Sequence, residues 1–286
     1  VTASEDVAFT FSGGNLISVA DPDVGASNLV VNLSVTGSGT LQLSGVAGLT
    51  FTNGSNGSSS MAFRGVLTNI NNALNNLQYT SAANSNGTFV MTINVNDLGH
   101  NGSGGARSTN VTVNIAVAPV NDRPVIDLPP ANSVAEEGQI VLPIRNLDPD
   151  RLDTNGSSYT FRFSMSATNG VFVLGSTNDL TFTAGNPVIT TGGVIVITNA
   201  TFEGPYAAMS NALTGVVYLP RLNVNGGDTW TFSMNDLGNF GSGGTLVSNL
   251  TRAIVITPVN DRPVLNLPPP FPVNENSTNQ INLSGL

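Results

Sequence analysis

The strongest constraint on what this chain can fold into is an internal repeat. Residues 119–125 read Pro-Val-Asn-Asp-Arg-Pro-Val, and the same seven residues return 139 positions later at 258–264. The Asn-Asp-Leu-Gly turn at 96–99 returns at the same offset, and both copies are followed by Gly-Ser-Gly-Gly. Identity over this length at a fixed offset indicates tandem copies of one supersecondary unit. The chain is therefore expected to be modular.

The repeat predicts two full units and the start of a third, with boundaries at 1–120, 121–259 and 260–286. Asp-Pro-Asp at 21–23 returns at 148–150, an offset of 127, so the second unit carries twelve extra residues. The third copy is too short to fold alone. We expect either a window from a longer array or a segment that completes a neighbouring molecule.

Local patterns predict short antiparallel strands with one helix per unit. In residues 89–95 and 111–117 apolar side chains alternate with Thr and Asn, the period of a half-buried strand. Such strands between Gly- and Asn-rich turns are typical of a β-sandwich. Residues 70–77 and 209–216 instead place apolar side chains at helical spacing, which predicts a two-turn helix or, alternatively, an irregular loop.

Composition excludes several kinds of site and partner. The chain has no cysteine, one histidine and no lysine, which excludes thiol chemistry and His-paired metal centres. Its net charge of −9 argues against nucleic acid as a partner. No stretch approaches the ~20 apolar residues of a membrane helix, so no membrane insertion is expected.

The acids are concentrated at fixed points of the repeat, although charged residues make up only 9% of the chain. Acids that recur once per unit suggest joints between units, whereas an active site is usually unique, so no enzyme activity is expected. The candidates for a catalytic pair lie outside the repeated motifs: Asp179, Glu203 and Asp228. The recurring acids have an alternative role as turn caps, since Asp-Pro-Asp and Asn-Asp-Leu-Gly are good turn sequences.

The order of these motifs resembles the extracellular cadherin repeat. A Glu near the start of the unit is followed by Asp-Pro-Asp, then Asn-Asp-Leu-Gly, then the Pro-Val-Asn-Asp-Arg-Pro linker. The pattern is most similar to cadherin-like tandem repeats of large bacterial surface proteins. It departs from the family in two places: the Asp-Arg-Glu motif is missing before Tyr79 and Tyr218, and Pro119 and Pro258 replace the first acid of the linker.

The resemblance implies an all-β protein of tandem cadherin- or immunoglobulin-like sandwiches in a linear rod, with Ca²⁺ at each junction. The missing motifs imply fewer or weaker ions than at a complete cadherin junction. The ligands implied for the first junction are Glu5, Asp6, Asn121, Asp122, Asp148, Asp150 and Asp236. Those implied for the second are Glu136, Glu137, Asn260 and Asp261, and those facing an upstream unit are Asp21, Asp23 and Asp97.

The function expected from this reasoning is a calcium-stiffened structural or adhesive rod at the cell surface. Its partners would be neighbouring repeats of the same protein, together with a cell-surface or glycan ligand. The alternative is a subunit of an extracellular filament or sheath that polymerises through the partial third repeat. A carbohydrate-binding module is a further alternative. The Gly-Ser-Gly-Gly turns are predicted to be flexible hairpin tips.

Overall fold

The computed structural model describes residues 1–37, 39–100, 103–152, 159–185, 188–189, 195–238, 240–264, 275–276 and 278. Its buried apolar side chains form two separate clusters, one running from Ala3 to Val117 and one from Leu128 to Ile256. Each cluster lies within one full copy of the repeat, here called unit 1 and unit 2. The boundaries at 121 and 260 stay a prediction.

Unit 1 is a sandwich of two sheets. Its described strands are β1 (Thr2–Ser4), β2 (Phe9–Phe11), β3 (Asn28–Val35), β4 (Thr40–Gln42), β5 (Thr50–Asn53), β6 (Ser60–Val66), β7 (Leu77–Thr80), β8 (Gly87–Asn96) and β9 (Ser108–Ala118). One sheet has the order β1-β9-β8-β3-β6-β5 and the other β2-β7-β4. Phe11 and Tyr79 of the smaller sheet share a core with Leu29 and Phe63 of the larger one.

Unit 2 repeats this order with added strands. Its described strands are β10 (Val125–Asp127), β11 (Ser133–Ala135), β12 (Ile140–Leu142), β13 (Arg145–Leu147), β14 (Thr160–Ala167), β15 (Gly170–Val173), β16 (Thr181–Gly185), β17 (Val188–Ile189), β18 (Ile195–Ile197), β19 (Asn199–Pro205), β20 (Val216–Pro220), β21 (Gly226–Asn235) and β22 (Val247–Thr257). The sheets are β11-β22-β21-β14-β19-β16, β12-β20-β15-β18-β17 and the pair β10-β13. The β17 and β18 pair lies where the sequence places extra residues. In unit 1 an isolated bridge between Leu41 and Ser58 takes the place of the pairing between β15 and β18.

The strand predictions are confirmed, with one difference in direction. The alternating residues of 89–95 and 111–117 lie on β8 and β9, which pair antiparallel. The equivalent strands β1 and β11, however, run parallel to the last strand of their unit: β1 pairs with β9, and β11 with β22. This parallel pairing carries Glu5 and Glu136 directly to the end of the last strand, where each linker begins.

A helix is present in each unit, as the apolar spacing predicts. Helix α1 (Leu67–Leu74) buries Ile70, Ala73 and Leu74 against the unit 1 core, and α2 (Tyr206–Thr214) lies at the same place in unit 2. The predicted ends were wrong, because Leu77 and Val216 are the first residues of the following strands. Short 3₁₀ turns cover Gly13–Asn15 and Pro149–Leu152.

The described helices give no candidate for a membrane span. None of them has the length and apolar character that crossing a bilayer requires.

Candidate metal centre

The linker between the units is held by a loop of unit 2. The Asn121 N–H donates to the Ser242 carbonyl at 2.8 Å, and the Ser242 N–H donates to the Pro119 carbonyl at 3.1 Å. Gly241 in this loop has φ +63°, and a Cβ there would lie 2.7 Å from the Val120 carbonyl carbon. Only glycine allows this approach, so the Gly-Ser-Gly-Gly turn is shaped to grip the linker.

A buried glutamate of each unit accepts a hydrogen bond from the linker that follows. Glu5 is fully buried, and its Oε1 accepts from the Val120 N–H at 2.6 Å. Glu136 repeats this in unit 2, where its Oε1 accepts from the Val259 N–H at 2.7 Å. Both glutamates therefore lie at the end of their unit beside the following linker, and their role as metal ligands stays a prediction.

The Asn121 side chain connects the linker to the turn between β21 and β22 of unit 2. Its Nδ2 donates to Asp236 Oδ2 at 2.7 Å and to the Gly244 carbonyl at 2.6 Å. Asn121 and Asp236 are both buried. Asn121 Oδ1 is also buried and accepts no hydrogen bond from the described residues. The amide thus leaves one buried oxygen at the junction for another ligand.

Three aspartates are linked in series by hydrogen bonds from a backbone N–H of one to the carboxylate of the next. The Asp122 N–H donates to Asp150 Oδ2 at 2.7 Å, and the Asp150 N–H donates to Asp148 Oδ1 at 2.9 Å. Asp148 and Asp150 are 2% and 3% exposed. Asp122 Oδ2 is buried and, within the described part of the chain, has no hydrogen-bond partner. The sequence-predicted set for this junction is therefore brought together around the linker.

The clustered negative charges shift the pKa values of the carboxyl groups at the junction. Burial, together with the charges of Asp150, Asp236 and Asp122, raises the pKa of Asp148 to about 7, against the lowering effect of the Asp150 N–H. Burial, followed by the charge of Asp6, raises the pKa of Asp122. Asp6 is itself exposed, so it contributes its charge from the rim. Full ionisation of these carboxyl groups is therefore unfavourable.

A small cavity lies among these side chains. Its volume is about 10 Å³, and its walls are formed by Asn121, Asp148, Asp150, Asp236, Tyr159, Phe161 and Phe240. A volume of roughly 10–15 Å³ is what a single water-sized sphere needs. The cavity can therefore accommodate one small species between the carboxylates and an aromatic wall.

The described carboxylates do not form a complete metal-binding site. Within the described residues, no group of three or more acids or histidines has the spacing that holds a metal ion. The acids instead cap backbone groups; Asp236 Oδ1, for example, accepts from the N–H groups of Gly238 and Leu246 at 2.8 and 2.9 Å. The alternative role as turn caps is thus realised in part. The donor set nevertheless fits a hard cation, since it is all oxygen and includes buried, unused oxygens of Asn121 and Asp122.

The acids predicted to face an upstream unit are also brought together. Asp21 Oδ1 accepts from the N–H groups of Asp23 and Val24, both at 3.2 Å. Asp97 Oδ1 accepts from the N–H groups of Gly99 and Arg107 at 2.9 and 2.7 Å, and these bonds lower the pKa of Asp97. The hydrogen bond and charge of Asp21 raise the pKa of Asp23. This end of unit 1 is therefore built like the Asp148, Asp150 and Asp236 end of unit 2.

The second predicted junction is only half assembled in the described residues. Glu136 is buried, but Glu137, Asn260 and Asp261 are exposed. The contrast with buried Asn121 shows how much the first junction depends on unit 2.

Sequence reasoning missed two features of unit 2. The first is the Gly-Ser-Gly-Gly loop, which contacts the linker; its exact repetition in both units was the available signal. The second is Asp228, which is 2% exposed and accepts from the N–H groups of Thr168, Asn169 and Thr229 and from the Tyr218 hydroxyl. Asp228 therefore caps the turn between β14 and β15, and Glu203 forms an ion pair with Arg162 at 2.7 Å.

No protein-family model and no curated protein sequence matches the chain. Among solved structures, human mucin-like protocadherin EC1-2 aligns at 11% identity and a TM-score of 0.30, over 78% of this chain and 85% of that one. Mouse cadherin-23 EC22-24 aligns at 16% identity and a TM-score of 0.32, over 91% of this chain and 63% of that one. Domains 5-6 of the S-layer protein SbsC align at 11% identity and a TM-score of 0.18, over 89% of this chain and 97% of that one. The assignment of the fold rests on the strands and cores described above.

Proposed function

We propose that this chain is a calcium-stiffened segment of a structural or adhesive rod in a large extracellular surface protein, of the kind bacteria display. The observation that carries the proposal is the convergence of acids on the linker beside two buried oxygens, Asn121 Oδ1 and Asp122 Oδ2, that accept no hydrogen bond from the described residues. The chain would be a spacer and not an enzyme.

The residues that would hold the ion are those gathered at the linker. Asp148, Asp150 and Asp236 would come from unit 2, Asn121 and Asp122 from the linker, and Glu5 from unit 1. Ca²⁺ takes six to eight oxygen ligands, mostly carboxylates and carbonyls. When bound, the ion would supply positive charge shared by both units, so its chemistry is structural.

The physical reason for a cation is the mutual repulsion of the acids. Two unit charges 4 Å apart interact by about 4 kcal/mol at an effective dielectric of 20. The raised pKa of Asp148 expresses this repulsion together with burial. A divalent cation removes the repulsion only while the two units hold their relative position, so binding would resist bending at residues 119–124.

The proposed location follows from affinity. Extracellular calcium modules bind at roughly 10⁻⁴–10⁻³ M. The absence of the linker's first acid, replaced by Pro119, favours this weak range. Sites of that strength fill where calcium is plentiful, which supports a position outside the cell.

The test combines melting and scattering on the full chain. Calcium should raise the Tm, since saturation at 100-fold excess over Kd adds about 2.7 kcal/mol per site. Small-angle scattering should show a longer, narrower particle with calcium than with EGTA. The variant Asp148→Ala/Asp150→Ala should lose both responses, whereas Asp127→Asn, an exposed acid outside the cluster, should keep them. Identical profiles with calcium and EGTA would reject the calcium role.

A second candidate function is head-to-tail assembly of copies. It is favoured by the exposure of Asn260 and Pro263 after β22, whereas their counterparts Asn121 and Pro124 in the first linker are buried. Exposure of residues that are buried in the first junction indicates an interface that this chain alone does not complete.

A further inference from the structure

Unit 1 carries an open groove beside its last two strands. It lies between residues 16–21 and the strands β8 and β9, and its volume is about 440 Å³. Ile17 and Val19 form one wall, and Val95, Val111 and Val113 form part of the other. Val111 is 52% exposed. The groove therefore has apolar side chains on both walls, is also lined by Asp21, Asp97 and Arg107, and is open to solvent.

One wall of the groove presents an unused strand edge. The Asn71 side chain accepts from the Val19 N–H at 2.8 Å and donates to the Val19 carbonyl at 2.9 Å. Backbone groups of successive residues in an extended segment point to opposite sides, so Ser18 and Ala20 direct theirs away from Asn71, into the groove. Among the described residues, neither the Ser18 nor the Ala20 N–H donates to a protein group. Such an edge is a template for an added strand.

Unit 2 shows what fills the equivalent space. Strand β10 pairs antiparallel with β13, and β13 corresponds to residues 18–20 of unit 1. Ile126 packs against the unit 2 core, and Leu128 is buried within it. The Ser248 hydroxyl donates to the Pro124 carbonyl, which fixes the start of the segment over β22. The filler of the groove in unit 2 is thus residues 124–130, the continuation of the linker.

The same filler sequence occurs once more at the end of the chain. Residues 263–269 read Pro-Val-Leu-Asn-Leu-Pro-Pro, against Pro-Val-Ile-Asp-Leu-Pro-Pro at 124–130. The two differences, Ile126 to Leu265 and Asp127 to Asn266, conserve size and polarity. Pro263 and Val264 are exposed, and residues 265–269 lie outside the described part of the chain.

We propose that the groove of unit 1 binds residues 263–269 of a second copy of this chain as an added antiparallel strand. By the pairing in unit 2, Val264 lies opposite Ala20, Leu265 opposite Val19, and Asn266 opposite Ser18. This inference deepens the assembly function proposed above and does not depend on bound calcium. Strand addition of this kind obtains affinity from main-chain hydrogen bonds and specificity from alternate side-chain pockets.

Other groups of unit 1 suit the same occupant. Thr109 stands where Ser248 stands in unit 2, so its hydroxyl can donate to the Pro263 carbonyl. Arg123 donates to the Val247 carbonyl, and its counterpart Arg262 can reach the carbonyl of Ser108 in the same way. The docked tail would also bring Asn260 and Asp261 to the acids at the open end of unit 1, recreating the first junction between copies.

Single-cysteine chains test the register directly, because the natural chain has no cysteine. Chains carrying Ala20→Cys and Val264→Cys are mixed and oxidised gently. Residues opposite each other in an antiparallel pair have Cα atoms about 4.5–5.5 Å apart, within the range that a disulfide spans. The mixture should give a disulfide-linked heterodimer. The matched control pairs Ser18→Cys with Val264→Cys, which is two residues out of register and beyond the ~7 Å limit.

Two further variants make the outcome decisive. Leu267→Asp places a charge where an apolar side chain would be buried, and it should slow cross-linking and weaken association at least about tenfold, equivalent to 1.4 kcal/mol. Val111→Arg should do the same from the groove side. Val111 is exposed in the free chain, and residue 267 lies outside the described residues. The Tm of each variant, compared with that of the natural chain, shows whether folding is intact.

The outcomes separate this inference from the calcium proposal. Register-specific cross-linking in both EGTA and calcium supports it even if calcium leaves the Tm unchanged. Equal cross-linking of both cysteine pairs, sedimentation as a monomer at millimolar concentration, or association that persists in Leu267→Asp overturns it. If a synthetic peptide of residues 262–271 binds while whole chains stay monomeric, the second-copy occupant is also overturned, and the groove belongs to a similar segment from another source.

Discussion

The Asn121 side-chain amide donates a 2.7 Å hydrogen bond to Asp236 Oδ2, across 115 positions of sequence. This contact ties the linker to the turn between β21 and β22, and it leaves Asn121 Oδ1 buried and unused by the described residues. The linker is therefore already part of unit 2 before any ligand binds. Glu5 of unit 1 accepts a hydrogen bond from the same linker at the Val120 N–H, and a cation would join Glu5 to the carboxylates of unit 2.

Replacing Asp148 with a neutral residue should distinguish its repulsion of neighbouring carboxylates from its proposed role as a calcium ligand. We expect Asp148→Asn to raise the Tm of the metal-free chain, since it removes a buried charge beside Asp150 and Asp236. The same variant should reduce the stabilisation by calcium to less than half. Differential scanning calorimetry with and without calcium measures both effects, with Asp127→Asn as the control for charge alone. A lower Tm of the variant without calcium would contradict this, because it would show that the Asp148 carboxylate stabilises the fold mainly as a hydrogen-bond acceptor.

The pH dependence of the metal-free chain follows from the same residue. The pKa of folded Asp148 is raised from 3.8 to about 7, so the folded state binds the proton more tightly than the unfolded state. Its contribution therefore favours folding at low pH and is lost as the pH rises from about 4 to about 7. The difference in Tm between Asp148→Asn and the natural chain should be near zero at pH 4 and grow toward pH 7.5. A difference that stays constant over this range would contradict the raised pKa.

The Gly-Ser-Gly-Gly loop offers a matched pair of glycine variants. Gly241 and Gly244 have φ +63° and +73°, but a Cβ would clash with the linker only at Gly241. Both substitutions to Ala meet a backbone penalty of about 1–2 kcal/mol, and Gly241→Ala should cost about 1–3 kcal/mol more through overpacking. Urea unfolding measures the two free energies. Equal costs would mean that the loop does not grip the linker in solution.

Asp228 should affect stability without affecting the junction. Replacing it with Ala leaves the N–H groups of Thr168 and Asn169 and the Tyr218 hydroxyl without their acceptor. We expect a loss of at least ~2 kcal/mol in unit 2, and an unchanged rise in Tm on adding calcium. If the calcium response also disappears, the junction and the Asp228 turn are coupled.

The sequence predicted the elements of this fold well because local periodicity decides them. Alternation identified β8 and β9, and the apolar spacing around Ile70 identified α1. It could not predict the parallel pairing of β1 with β9, since pairing direction depends on the path of the whole chain. The extra pair β17 and β18 appeared only as an insertion, because nothing in an offset tells whether inserted residues form strands.

The site was predictable as a set of residues but not as a geometry. The recurrence of Asp148, Asp150 and Asp236 identified them, and the structure brings them to the linker. Their hydrogen bonds to backbone N–H groups and the aromatic wall of Tyr159 and Phe240 come from contacts between distant segments. The groove of unit 1 was equally hidden, because it is defined by comparison with the filled space in unit 2.

The most direct test of the calcium junction is anomalous diffraction from crystals of the full chain grown with saturating calcium. The account predicts a peak at the first linker, about 2.3–2.6 Å from oxygens of Asp122 and Asp148, with Asn121 Oδ1 among its ligands. A map without a peak, in which these carboxylates keep only the backbone partners described above, would contradict it.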